Sequence, residues 1–100
     1  MPFSLPEAEH AVVMYRTAIC PYCHMAALLL RRKGVPFVEV SLDGDPGRRA
    51  ALQERTHWQT VPQIFVQGSF VGGYTDLAAL DRSGELDRRL ATGGVGGDAA

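Results

Sequence analysis

Cysteine is scarce in this chain: of 100 residues, only Cys20 and Cys23 carry a thiol. Two cysteines are too few for the disulfide framework of a small secreted domain, and so close a pair closes too short a loop to restrain the unfolded chain. Long apolar runs are missing as well. No stretch approaches the roughly 20 residues that cross a bilayer, and Met1 to Glu9 has neither the basic flank nor the apolar centre of a secretory signal. Nor does one sign of charge dominate. Ten Lys and Arg stand against eleven Asp and Glu, for a formal net charge of −1, so nothing marks a nucleic-acid or membrane partner. His10, His24 and His57 are scattered along the chain and, with two Cys, supply no four-ligand set for structural zinc. The expectation is a cytoplasmic protein without a metal, in which a lone Cys pair is catalytic or metal-binding rather than a staple.

What is present reads as one domain. Hydrophobic residues make up 46% of the chain, ordinary for a globular protein of this size. Residues 1–9 are expected to form a flexible tail, 10–91 the folded domain, and 92–100, rich in glycine, a disordered tail. Ala11 to Tyr15 is a continuous apolar run suited to a strand buried on both faces. The Cys pair then opens a helix, with Pro21 in its first turn, where the missing N–H costs nothing. Met25 to Leu30 is apolar nearly all round, the pattern of a helix packed deeply on a sheet. Arg31, Arg32 and Lys33 suit its C-terminal end, and Gly34 stops it.

Val35 to Leu42 alternates as a strand, and Pro36 puts its start at a sheet edge. Asp45 caps a second helix that runs to about Thr56, with Pro46 as its first residue. Gln63 to Val66 and Phe70-Val71 make a hairpin across Gly68-Ser69. Thr75-Asp76 caps a further helix that Gly84 interrupts, and Leu86 and Leu90 mark one or two turns more. The order implies an α/β fold, with a parallel strand pair extended by an antiparallel hairpin.

A disulfide exchanger needs one exposed thiolate and a second thiol close enough to resolve the intermediate. Cys-x-x-Cys at a helix start supplies both. Free backbone N–H groups and the positive end of the helix dipole stabilise the first sulfur as an anion, and thiols in such motifs titrate at about 3.5–7.5. The second sulfur, one turn along, is more buried. Cys20 is accordingly the nucleophile and Cys23 the resolver. His24 is a helix-face residue on this reading.

Three stretches in this order carry a resemblance: Cys20-Pro21-Tyr22-Cys23-His24, Thr60-Val61-Pro62-Gln63-Ile64-Phe65-Val66, and Gly72-Gly73-Tyr74-Thr75-Asp76-Leu77. From about Ala11 to Ala91 the chain resembles the dithiol glutaredoxins. The resemblance implies a thioredoxin-like fold, a four-stranded mixed sheet flanked by three to four helices. It implies a cis Val61-Pro62 bond facing the cysteines, with the Val61 backbone free to pair with an extended substrate. It places the γ-glutamyl carboxylate of glutathione at the helix N–H groups and Thr75 hydroxyl, and its amine at Asp76. Tyr22, Thr60, Val61 and Pro62 would line the groove. Many glutaredoxins also have a lysine three residues before the first Cys, toward the glycine carboxylate. Here Thr17 stands there, which leaves Arg16 and Gln59 as candidates for that contact, although strand alternation carried through Arg16 would turn it the other way.

The implied activity is glutathione-dependent thiol–disulfide exchange by a monomer. Glutathione is the co-substrate and no cofactor is bound. The partners would be glutathionylated or disulfide-containing proteins, ribonucleotide reductase being one candidate. A thioredoxin-like electron donor, an iron–sulfur carrier and an interaction module are the competing readings.

Overall fold

The computed structural model describes residues 10–92; the expected tail at 1–9, and all but Thr92 of the tail expected at 92–100, lie outside them. Eight elements follow one another: β1 (Val12–Arg16), α1 (Pro21–Arg32), β2 (Val38–Ser41), α2 (Pro46–Thr56), β3 (Gln63–Val66), β4 (Ser69–Gly72), α3 (Tyr74–Ser83) and α4 (Glu85–Thr92). The strands form one sheet in the order β2-β1-β3-β4. β1 runs parallel to β2, with Val13 opposite Val38, and antiparallel to β3, with Val13 opposite Phe65. β3 and β4 form the antiparallel hairpin. The two central strands have neighbours on both sides and helices on both faces, so their sequences are apolar almost without interruption.

Side chains of a strand alternate between faces, and the core divides accordingly. Val12, Met14, Ile64 and Val66 pack on Ala26, Ala27 and Leu30 of α1, with Leu77 of α3 and Leu86 of α4. Val13, Tyr15 and Phe65 turn the other way, onto Leu42 and onto Leu52 of α2. The Tyr15 and Phe65 rings meet edge to face at 5.8 Å. Lys33, at the end of α1, bridges Asp81 at 2.7 Å and Asp87 at 3.0 Å, fastening that helix to α3 and α4.

Several boundaries differ from the sequence reading. The strand expected from Val35 starts at Val38, because Val35 still belongs to the exit of α1. Gly34 (φ +71°) donates its N–H to Arg31 O and Val35 donates to Leu30 O, each at 3.0 Å. This is the Schellman arrangement, which consumes two orphan carbonyls. The hairpin turns at Gln67-Gly68, not Gly68-Ser69. Both turn residues have positive φ, +52° and +81°, and Ser69 is already paired with Val66, as a two-residue type I′ turn requires. Gly73, not Thr75-Asp76, is the cap of α3. α4 runs to Thr92, one residue past the expected end of the domain. Finally, α1 is not buried all round, since Met25 and Leu28 are exposed. Among the described residues no helix is long and apolar enough to cross a membrane.

Candidate active site

Cys20 is the cap of α1. Its backbone is still extended (φ −156°, ψ 100°), and Pro21 takes the first helical position. The Cys20 Sγ accepts the Cys23 N–H at 3.2 Å, and the Cys20 carbonyl takes the first helical bonds from Cys23 N–H and His24 N–H. A sulfur in this position sits where the helix offers unpaired donors and the positive end of its dipole. Both cysteines are free thiols. Cys20 retains 7% of its surface and Cys23 none, so only the first sulfur has an approach. Burial pushes the Cys23 thiol up to about 12. The hydrogen bond to the neighbouring Cys20 sulfur acts in the same direction, while the Thr17 backbone and the Arg16 charge oppose it.

The loop before Cys20 is tied down from the far edge of the sheet. The Asp43 carboxylate accepts the Ala18 N–H at 2.8 Å, and the Ser41 hydroxyl accepts the Asp43 N–H at 3.1 Å. On the other side, the Cys20 thiol donates to Val61 O at 3.7 Å. The Val61-Pro62 bond is cis.

Val61 and Pro62 form one wall of a groove of about 350 Å³. Tyr22, Trp58 and Thr60 line it beside them, and Gly73, Tyr74, Thr75 and Asp76 close its far end. Tyr22 stacks on Tyr74 with ring centroids 6.3 Å apart. At that end, the first helical bond of α3 runs from Leu77 N–H to Gly73 O. The N–H groups of Tyr74, Thr75 and Asp76 therefore precede the helical ladder. One Asp76 oxygen accepts the Gly73 N–H at 3.0 Å. Gly72 is needed for two reasons: its φ is +124°, and a Cβ there would run into the Asp76 carboxylate.

The rim loop depends on Gln63, which is 1% exposed. Its amide Nε2 donates to Trp58 O at 2.7 Å and to Thr60 O at 3.2 Å. Its Oε1 accepts from the Thr56 hydroxyl at 2.8 Å, and that hydroxyl accepts the Trp58 N–H at 3.2 Å. The sequence reading gave Gln63 no role, although an amide inside Val-Pro-Gln-Ile-Phe-Val is the sort of buried polar group that must find partners. Asp43 was missed as well, because its partner lies 25 residues away.

Of the ten residues singled out in the sequence, the structure brings eight together: Cys20, Cys23, Tyr22, Thr60, Val61, Pro62, Thr75 and Asp76. Arg16 and Gln59 do not line the groove, although the Arg16 charge still reaches Cys23. Arg16 has the parity of Val12 and Met14 on β1, which turns it to the α1 side. There it pairs with Glu39 at 2.7 Å and lies against His24. Gln59 lines a shallow hollow on α2 with Glu54 and His57.

The comparisons with known proteins agree with this geometry. The glutaredoxin family model matches residues 12–71. The chain belongs to the glutaredoxin family. A glutaredoxin of Pseudomonas aeruginosa is 51% identical over 80 residues, covering 80% of this chain and 95% of that protein. Glutaredoxin 3 of Escherichia coli is 46% identical over 79 residues, covering 79% and 95%. Among solved structures, a buckwheat glutaredoxin–glutathione complex superposes with a TM-score of 0.81 at 26% identity, over 85% of this chain and 80% of that one. Brucella melitensis glutaredoxin superposes at 0.74 with 44% identity, over 86% and 94%. The fold is therefore the thioredoxin fold of the glutaredoxins, and the protein is a glutathione-dependent thiol–disulfide oxidoreductase.

Proposed function

We propose that this glutaredoxin removes glutathione from protein–glutathione mixed disulfides, and reduces protein disulfides, through Cys20 with Cys23 as resolver. The observation that carries this reading is the placement of Cys20 Sγ. It receives the Cys23 N–H at 3.2 Å and contacts Val61 O at 3.7 Å, at the head of a groove that ends on the free N–H groups of α3.

In the first step the Cys20 thiolate attacks the glutathione sulfur of the mixed disulfide. The old S–S bond breaks, a Cys20–glutathione disulfide forms, and the protein sulfur leaves and takes up a proton. Two exits follow. A second glutathione thiolate attacks the bound glutathione sulfur, which releases oxidised glutathione and regenerates the Cys20 thiolate. Alternatively Cys23 loses its proton and attacks Cys20 Sγ, which releases glutathione and leaves an internal disulfide for two further glutathione molecules to reduce. Because Cys23 is buried and holds its proton tightly, the first exit dominates while glutathione is plentiful.

In the bound state the glutathione backbone lies along Val61 as an added strand. Thr60, Pro62 and Tyr22 flank it, the γ-glutamyl carboxylate meets Thr75 and the α3 N–H groups, and the amine meets the second Asp76 oxygen. Neither Arg16 nor Gln59 lines the groove, and we assign them no contact with glutathione. The substrates are glutathionylated and disulfide-bearing proteins of a reducing cytoplasm, ribonucleotide reductase among the candidates, and the chain acts as a monomer.

The test is steady-state reduction of a small glutathione mixed disulfide by the wild type, Cys20→Ser and Cys23→Ser. Cys20→Ser abolishes turnover, whereas Cys23→Ser keeps it through the one-thiol exit. Equal loss in both variants contradicts the glutathione route.

A further inference from the structure

The outer face of α1 is more apolar than its packing requires. Its buried residues are Cys23, Ala26, Ala27, Leu29 and Leu30. Yet among the described residues the exposed large apolar side chains are Ile19 (93%), Tyr22 (56%), Met25 (43%) and Leu28 (50%). They follow one another at steps of three, starting next to the reactive cysteine. On a helix, residues three or four apart are neighbours on one face, so Tyr22, Met25 and Leu28 form a slanting stripe. Arg32, four residues past Leu28, continues it and is exposed. No acidic residue occurs in α1, whose sequence is Pro-Tyr-Cys-His-Met-Ala-Ala-Leu-Leu-Leu-Arg-Arg.

We infer that this stripe is where the protein half of the substrate docks, and that it selects cysteines followed by an apolar stretch ending in carboxylates. The inference rests on the activity proposed above and names the substrate class of that site. Three observations carry it. Tyr22 belongs both to the groove and to the stripe. Ile19 directly precedes Cys20 and the stripe continues from it along α1, so this surface begins at the reacting sulfur. Apolar side chains aligned on one exposed face mark an interaction surface, where scattered single ones do not. A methionine among them adapts to partners of different shape. The basic end of the stripe then sets the complementary charge at the far end of the partner segment. From Tyr22 to Arg32 the helix rises about 15 Å, which an extended chain crosses in about five residues.

Two synthetic peptides of about eight residues test this, each carrying one glutathionylated cysteine. In one, the cysteine is followed by leucines and then glutamates; in the other, by serines and then lysines. Wild type is expected to reduce the first with a kcat/KM about tenfold higher than the second. Met25→Ser/Leu28→Ser, both at exposed positions, lowers kcat/KM on the first peptide about tenfold and leaves the second, and a small glutathione mixed disulfide, within about twofold. Arg32→Glu weakens the first peptide and favours the second. Equal wild-type rates on the two peptides overturn the inference, and so does an equal loss on both in the double variant. Failure of the parent activity is read separately, as absence of turnover of the small disulfide by wild type.

Discussion

Replacing Gln63 by leucine should damage the groove without touching the sulfur. Leucine keeps much of the volume and removes three hydrogen bonds: Nε2 to Trp58 O at 2.7 Å, Nε2 to Thr60 O at 3.2 Å, and Oε1 from the Thr56 hydroxyl at 2.8 Å. At about 1 kcal/mol net each, these amount to about 3 kcal/mol. Extra apolar burial by leucine offsets about 1 kcal/mol. The expected loss of stability is therefore about 2 kcal/mol, or a fall in Tm of about 8–16 °C for a domain of this size. Trp58 and Thr60 line the groove, and their carbonyls lose the donor that holds them. KM for a glutathione mixed disulfide should rise about three- to tenfold, while alkylation of Cys20 by iodoacetamide stays within about twofold. Urea unfolding, steady-state kinetics and the alkylation rate measure the three quantities. Thr56→Val, which removes the hydroxyl's bonds to Gln63 Oε1 and from the Trp58 N–H, should cost about 2 kcal/mol. A Gln63→Leu protein with unchanged urea midpoint and unchanged KM would refute the reasoning.

Asp43→Ala frees the Ala18 N–H and loosens the approach to Cys20, so turnover and Cys20 alkylation should both fall severalfold. Asp43→Asn keeps an acceptor oxygen and should restore most of the rate; failure of asparagine to rescue would remove the hydrogen bond as the cause. Gly72→Ala places a side chain at φ +124° and against Asp76, for a loss of about 2–3 kcal/mol by urea unfolding; a wild-type midpoint would show that this turn is not constrained. Alkaline pH should destabilise the reduced protein through Cys23. Its folded value lies near 12, above the unfolded thiol at about 8.5. The contribution is thus complete below about 8.5 and is lost as pH rises toward the folded value, where the unfolded chain has already released its proton. Urea midpoints from about pH 8 to about pH 10.5 should fall less in Cys23→Ser than in wild type, and parallel declines would contradict the assignment.

Much of the frame was legible because local chemistry decides it. The apolar run before Arg16 could only be a strand buried on both faces. Pro21 and Asp45-Pro46 mark helix starts, and Gly34 marks a stop with the φ that this stop needs. Thr75 and Asp76 were recognisable through the resemblance, but their position in the first turn of α3 was not, since the cap is a glycine that has no side chain to signal it. The hairpin was shifted by one residue because Gln67 accepts a positive φ more usual for asparagine or glycine. Strand alternation already offered the orientation of Arg16, which points toward Glu39 and His24 rather than the groove. Asp43 was illegible because only the tertiary fold brings its partner Ala18 near, whereas the partners of Gln63 lie three to seven residues away and were hidden because an amide inside an apolar strand does not show which neighbours it will bond. The exposure of Met25 and Leu28 was likewise hidden, because an apolar helix face reads the same whether the core or a partner covers it.

The central claim is that Cys20 carries glutathione while Cys23 waits in reserve, and mass analysis of Cys23→Ser after incubation with oxidised glutathione tests it most directly. One glutathionyl group on the peptide containing Cys20, removed again by free glutathione, is the predicted result. An unmodified Cys20, or an adduct that free glutathione does not remove, would contradict the account.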